Sequence, residues 1–232
     1  MKRVLLKLSG EALANGTNEI YDSDFVDRVA QALISAKNSG LEIAVVVGAG
    51  NIWRGRQGGE MDRVSADRMG MLATVMNSIC LKDAIERAGS EAVVMSSVPM
   101  SPLAEDYSSD LAKKYLSEGK ILVFGCGLGI PFLSTDTAGA VKAAEISADA
   151  MFMAKNVDYI YTDDPRKNPD AKKIENIKAS EVLAMNLKAI DATATAFCMS
   201  NGIPIHIFGL KTPEDITKAL SGKTLGTYVS AE

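Results

Sequence analysis

Short stretches of this 232-residue chain carry the residue types that handle phosphate. Lys7-Leu8-Ser9-Gly10 sets an ammonium beside two small residues whose backbone N–H groups can come close to an anion. A solvent-facing lysine at an ordinary turn would read the same way. Gly48-Ala49-Gly50-Asn51, followed by Arg54-Gly55, permits a backbone nest and adds a planar guanidinium fork suited to phosphate. The plainer alternative is a tight strand-to-helix turn with a surface arginine. Phe124–Ala140 reads FGCGLGIPFLSTDTAGA: three glycines on alternate residues, a proline, then Ser134-Thr135-Asp136 opening a helix. Hydroxyls and free N–H groups at a helix N-terminus bind anions, although helix capping alone explains the same residues. Asp67 could accept hydrogen bonds from sugar hydroxyls, or could simply be a carboxylate near a helix start. The Asp163–Pro169 segment offers carboxylates for a sugar or magnesium and Lys167 for phosphates, unless it is a solvated loop.

Other chemistries find less support. No Ser/His/Asp or Cys/His arrangement is visible, which disfavours nucleophilic catalysis. His206, between Ile205 and Ile207 in an apolar strand, is most simply structural, and Trp53 reads as a packing residue. Gly222-Lys223-Thr224 imitates the end of a P-loop, but the required earlier glycine is Thr217, and a helix rather than a strand precedes it. Gly125-Cys126-Gly127-Leu128-Gly129 lacks the glycine spacing of a dinucleotide fingerprint, and Pro131 interrupts the turn into the helix.

Alternating short apolar runs and helical patterns must position these residues. Strands are predicted at Arg3–Leu8, Glu42–Val47, Ala92–Met95, Ile121–Phe124, Ala150–Ala154, Tyr159–Tyr161, Ile203–Phe208 and Leu225–Val229. Helices are predicted at Ser23–Ser39, Met61–Ala88, Tyr107–Ser117, Thr137–Ser147, Ser180–Leu187, Asp191–Asn201 and Pro213–Leu220. Near-continuous apolar strands alternating with helices imply an α/β fold with a mainly parallel sheet covered on both faces. Ligands of such sheets bind beyond the carboxyl ends of the strands, which selects Lys7–Gly10, Gly48–Gly55, Gly125–Thr137 and Lys155–Pro165.

The net charge of −4 argues against a broad nucleic-acid surface, so an anion must be held by local geometry. Lys2-Arg3 and Val4-Leu5-Leu6 imitate a secretory signal, but Lys7 interrupts the apolar run, and no stretch has membrane-spanning length. Cys80, Cys126 and Cys198 are odd in number and lack metal-ligand spacing, which suits reduced thiols in a cytosol.

In order along the chain, these segments resemble the bacterial uridylate (UMP) kinases of the amino acid kinase superfamily. The resemblance runs through Lys7–Ala12, Gly48–Gly55, Asp67–Thr74, Pro131–Asp136, Ala143–Ile146, Tyr161–Pro165 and Asp191–Ala194. It implies a three-layer α/β/α sandwich with a mainly parallel central sheet, formed by residues 1–232 as one domain. The acceptor-nucleotide half would span about residues 1–150 and the ATP half about 151–232. The implied reaction is ATP + UMP giving ADP + UDP with Mg²⁺, in pyrimidine nucleotide synthesis and in the cytoplasm. A homohexamer activated by GTP and inhibited by UTP is implied as well.

Carried over by position, Lys7, Leu8, Ser9 and Gly10 match the ATP-phosphate segment. Gly50 and Arg54 match phosphate contacts on the ATP side, Arg54 being expected also to anchor the acceptor phosphate. Asn156, Tyr161 and Asp164 match the adenosine side. Ala49, Asp67 and the loop Leu128, Gly129, Ile130, Pro131, Phe132, Leu133, Ser134 and Thr135 match UMP contacts. Asp136 matches the polar residue beside the phosphates and, with Lys7 and Arg54, completes the implied catalytic set; no residue is assigned as a metal ligand. Leu128 and Ile130 stand where the family carries polar side chains, so an acceptor base would be read there by backbone groups and apolar fit, a less selective device than polar readout. A nucleoside monophosphate is already largely dianionic at neutral pH, its second pKa being about 6, so no general base is needed. A kinase with another phosphate or carboxylate acceptor, and a nucleotide sensor without turnover, are the alternatives.

Overall fold

The computed structural model describes residues 1–53, 59–163, 167–222 and 225–232. Arg54, Gly55, Asp164, Lys223 and Thr224 lie outside the described residues. The chain begins β1 (Arg3–Leu8), α1 (Gly10–Ala14), α2 (Ser23–Asn38), β2 (Glu42–Val47), α3 (Arg63–Arg87), β3 (Ala92–Ser96), β4 (Glu105–Asp106), α4 (Ser109–Ser117) and β5 (Ile121–Gly125). It continues α5 (Thr135–Glu145), β6 (Ala150–Lys155), β7 (Ile160–Tyr161), β8 (Lys173–Ile174), β9 (Asn176–Lys178), α6 (Ala179–Ala184), α7 (Ala192–Ser200), β10 (Ile205–Gly209), α8 (Glu214–Leu220) and β11 (Thr227–Ser230).

Among the described residues a nine-stranded sheet runs in the order β4-β3-β5-β2-β1-β6-β10-β11-β9. Every neighbouring pair in it is parallel except β10–β11. From β1 the chain winds outward through β2, then returns to add β6 on the other side of β1. That reversal of strand order leaves a crevice beyond the carboxyl ends of β1, β2, β5 and β6.

Strand alternation sorts the side chains into two layers. Val4, Leu6 and Leu8 of β1 pack with Val45, Val47, Phe152 and Ala154 under α2, α3 and α8. Leu5, Val46, Met151 and Met153 face the other way, onto α4, α5, α6 and α7. Each fully buried Val or Leu contributes about 1.5–3 kcal/mol, so both faces are strongly specified and the register is fixed. Lys7 and Lys155 share the odd-numbered parity of Leu5, Met151 and Met153, which turns both toward α5.

The expected elements are present, with instructive shifts. The long helix starts at Arg63 because the Asp62 side chain caps it by accepting from Ser65 N. The helix expected from Thr137 starts at Thr135, capped by Ser134. The expected strand at Tyr159–Tyr161 pairs outside the main sheet, antiparallel to β8.

Candidate active site

Asp136 opens α5 at the sheet's carboxyl edge, and its two oxygens are claimed by two lysines. Lys7 Nζ, from β1, lies 2.8 Å from Oδ1, and Lys155 Nζ, from β6, lies 2.6 Å from Oδ2. All three are largely buried, with side-chain exposures of 9%, 11% and 18% for Lys7, Asp136 and Lys155. Burial alone would raise the Asp136 pKa, but the neighbouring ammonium groups outweigh it and hold the carboxylate below its ordinary range. Burial, and then the charge of Lys7, push Lys155 below the ordinary lysine value. One carboxylate for two ammonium groups leaves one positive charge uncompensated within the trio. The charge of Asp191 also acts on Lys155, so anion binding at this corner rests on directed ammonium and N–H groups rather than on net charge.

Asp191 joins this cluster to a second helix. It caps α7 by accepting from Thr193 N, while its other oxygen accepts from Ser134 Oγ and, at 2.8 Å, from Thr137 Oγ1. Burial would raise its pKa; the hydroxyl donors of Ser134 and Thr137 bring it down instead. The N-termini of α5 and α7 therefore converge on one corner, where their dipoles add to the lysine charge.

The glycines between β5 and α5 answer to different constraints. A Cβ on Gly125 would lie 3.0 Å from Val75 Cγ2, so α3 rides directly on this backbone. Gly129 has φ +80, and its Cβ would lie 3.0 Å from Ser97 O. Cys126 and Phe132 also take left-handed conformations, at φ 65 and 71. Strained backbone of this kind persists where surroundings fix it and marks functional loops. Phe132 N donates to Asp67 Oδ2 at 2.8 Å, and Arg63 Nε lies 2.9 Å from each Asp67 oxygen. Asp67, expected to meet a sugar, thus also holds the loop Leu128–Thr135 onto α3.

Beyond the end of β1, Glu11, Gly50, Asn51, Asn156 and Leu210 line a cleft of about 570 Å³ together with the segment Asn15–Glu19 that follows α1. Asn156 Nδ2 sits 3.5 Å from Glu11 Oε2. Tyr161 is not among the residues that line this cleft: its hydroxyl donates to Asp158 Oδ1 at 2.7 Å, and Lys173 holds the other Asp158 oxygen. Trp53 packs as expected, its Nε1 donating to Ala66 O at 2.8 Å.

Lys7, Asp136, Ser134 and Thr135 are therefore brought together, with Ser9 and Gly10 at the end of β1. Asp67 and the Leu128–Leu133 loop form an adjoining wall, while Gly50 and Asn156 line the cleft; Arg54 and Asp164 lie outside the described residues. Lys155 is the residue that sequence reasoning missed. Its signal was its parity with Met151 and Met153 at the end of a strand that continues one residue beyond the apolar run. Among the described residues, no cluster of three or more His, Cys, Asp or Glu side chains is placed to hold a metal ion.

The fold and this phosphate-ready edge define a class: residues 2–209 match the amino acid kinase family, and the chain belongs to it. Among solved structures, a UMP kinase from Bacillus anthracis superposes with a TM-score of 0.95 at 34% identity, over 100% of this chain and 96% of that one. A UMP kinase from Ureaplasma parvum gives 0.93 at 33% identity, over 99% and 98% of the two chains. A uridylate kinase from Archaeoglobus fulgidus gives 0.76 at 26% identity, over 99% and 100%.

Proposed function

We propose that this protein transfers the γ-phosphoryl group of ATP to UMP, giving ADP and UDP for pyrimidine nucleotide synthesis. The observation that carries the reading is Asp136 held between Lys7 and Lys155 at the sheet edge of a chain similar throughout its length to UMP kinases. The acceptor would lie over the half of the chain up to about residue 150, against Asp67 and the Leu128–Thr135 loop. ATP would lie over the remainder and in the adjoining cleft where Asn156 and Leu210 face Glu11 and Gly50 of the first half, with the whole chain acting as one domain.

In this reading the chain's work is positioning and charge balance, as phosphoryl transfer requires. Lys7 meets the transferring phosphoryl, and Lys155 supplies the second positive charge. Asp136 aims both ammonium groups, its carboxylate lying ionised between them. Asp191 fixes Ser134 and Thr137, so that the amides at the start of α5 face the crevice. Arg54 anchors the acceptor phosphate. Magnesium, held mainly by the phosphates, would neutralise charge on the β and γ groups. No residue is needed as a general base, because the acceptor phosphate arrives ionised.

A cytoplasmic setting suits the unpaired Cys80, Cys126 and Cys198. Assembly as a homohexamer, with GTP activation and UTP inhibition, is part of the same proposal; exposed Met69, Leu72, Met76 and Ile79 on α3 offer an apolar face for self-association. ADP release measured across UMP, CMP, AMP, acetylglutamate, aspartate and carbamate tests the acceptor. UMP is expected to give the highest kcat/KM. A higher value for any other acceptor replaces it, and calorimetric binding of ATP and UMP with no ADP formed would make the protein a sensor.

A further inference from the structure

The side of α3 facing the sheet changes character along its length. Leu81, Ala84 and Ile85 are buried apolar residues packed on the strands. One to two turns earlier, where the helix passes the ends of β2 and β5, the buried positions include the polar Thr74 and Asn77, 3% and 0% exposed. Polar groups so deeply buried are retained only with partners, and their partners here are the two loops of the crevice.

The Thr74 hydroxyl donates to Met71 O at 2.6 Å, which leaves its lone pairs for Cys126 N–H at 2.8 Å. Cys126 is the left-handed residue at which the acceptor loop departs from β5. Asn77 spends both amide hydrogens, on Gly48 O at 2.7 Å and on Asn51 Oδ1 at 2.8 Å. Its own oxygen accepts from Asn51 Nδ2 at 3.1 Å. A trans peptide sets C=O and N–H in opposite directions, so pinning the Gly48 carbonyl to α3 aims the Ala49 N–H away from it. Residues 74 and 77 share a helix face about 4.5 Å apart along the axis, at a rise of about 1.5 Å per residue.

We propose that Thr74 and Asn77 are positioning residues for phosphoryl transfer. One turn of α3 holds the acceptor loop by the Cys126 amide and the phosphate loop by the Gly48 carbonyl, and so sets the spacing between the two nucleotides. Close packing of Val75 on Gly125 keeps α3 from drifting relative to β5. The inference rests on the kinase reading of the site.

The test compares Thr74→Val, which keeps shape and removes the hydroxyl, with Thr74→Ser, which restores it, and adds Asn77→Leu. For Thr74→Val, the KM for UMP is expected to rise about tenfold with the KM for ATP within about twofold, and Thr74→Ser is expected to stay near wild type. Misplacement by about 1 Å can cost about a hundredfold, which is the loss of kcat expected for Asn77→Leu. Backbone hydrogen exchange should quicken over residues 126–133 in Thr74→Val and over 48–53 in Asn77→Leu, with β1 and β6 unchanged. If Asn77→Leu does not fold, the Thr74 pair decides. Equal loss of activity on both substrates, in proportion to folded protein, or unchanged exchange in the loops, overturns the proposal. If wild type turns over another acceptor, the same split is read on that acceptor. If it turns over none, the kinase reading fails and the exchange comparison alone decides whether α3 holds the loops.

Discussion

Gly10 and Gly48 meet backbone to backbone: a Cβ on Gly10 would lie 2.3 Å from the Gly48 carbonyl oxygen and 2.5 Å from Asn51 Oδ1. The first atom is main chain already bound to Asn77, so it cannot move aside cheaply. Gly10→Ala must displace one of the two loops that end β1 and β2. Overpacking of this kind costs about 1–3 kcal/mol, and the displaced atoms are those that would face the phosphates. A lower Tm and a loss of kcat/KM of about a hundredfold or more are expected from melts and initial rates. Gly70→Ala is the control, because its Cβ would meet only Trp53 Cδ1 at 3.7 Å, an ordinary contact inside a helix.

Lys7 and Lys155 share Asp136 but should not be equivalent in kinetics. Lys7→Ala leaves Asp136 paired with Lys155, so the fold is kept while the charge at the end of β1 is lost. Removing one preorganised group that stabilises transition-state charge costs about 10²–10³ in kcat, and that loss is expected with nucleotide KM values little changed. Lys155→Met leaves Lys7 paired with Asp136 and removes the second ammonium group; a smaller fall in kcat, about tenfold to a hundredfold, is expected with a raised KM for ATP. Steady-state kinetics on both substrates check this, and unchanged turnover in either variant removes that lysine from the mechanism.

Stability should depend on pH in two separate windows. His206, the chain's one histidine, is stacked on Phe152 at 4.6 Å and lies 4.8 Å from Tyr228, and burial lowers its pKa. The unfolded chain then binds a proton at higher pH than the folded one. Stability therefore falls as the pH drops from about 6.5 toward the lowered folded value, and levels off below it. Denaturant midpoints from pH 5 to 8 should show that slope, and His206→Phe should flatten it. Asp136 acts lower: its depressed pKa contributes stability above about pH 3.9 that is lost as the pH falls through the folded value. Asp136→Asn should thus change the profile on the acid side and leave the histidine window in place.

Much of this architecture was legible in the residues because both sheet faces are covered, which makes strands such as Glu42–Val47 apolar runs after their first residue. Short elements were not: β4 and β9 are two and three residues long, carry no periodicity, and exist because a neighbouring strand offers an edge. Lys7, Asp136 and Ser134 were readable as candidates from their places at a strand end and a helix start. Their meeting is not a local signal, because it joins the end of β1 to the start of α5; only the resemblance, which groups Lys7 with Asp136, implied it. Lys155 was hidden by a strand boundary one residue too early. The bond from the Phe132 amide to Asp67 spans 65 positions, a relation no local pattern reports, so this role is invisible beside the sugar and helix-start readings.

That bond yields a sharp separation of roles in the acceptor loop. Asp67 holds Phe132 through the backbone N–H, while Arg63 holds Asp67 from one turn earlier and lies 5.5 Å from the Phe132 ring. Asp67→Ala should release the loop and raise the KM for UMP by about thirtyfold, with the KM for ATP unchanged. Phe132→Gly keeps the N–H and accepts φ 71 without the cost of about 1–2 kcal/mol that a side chain meets there, so its effect on that KM should stay within about threefold. Phe132→Pro removes the donor and forbids the backbone angle, and should reproduce Asp67→Ala. Arg63→Met should do less than Asp67→Ala, because the ion pair is half-exposed on its arginine side and the Asp67–Phe132 bond survives. Equal effects of Phe132→Gly and Phe132→Pro would show that the ring, and not the amide held by Asp67, is what the acceptor needs.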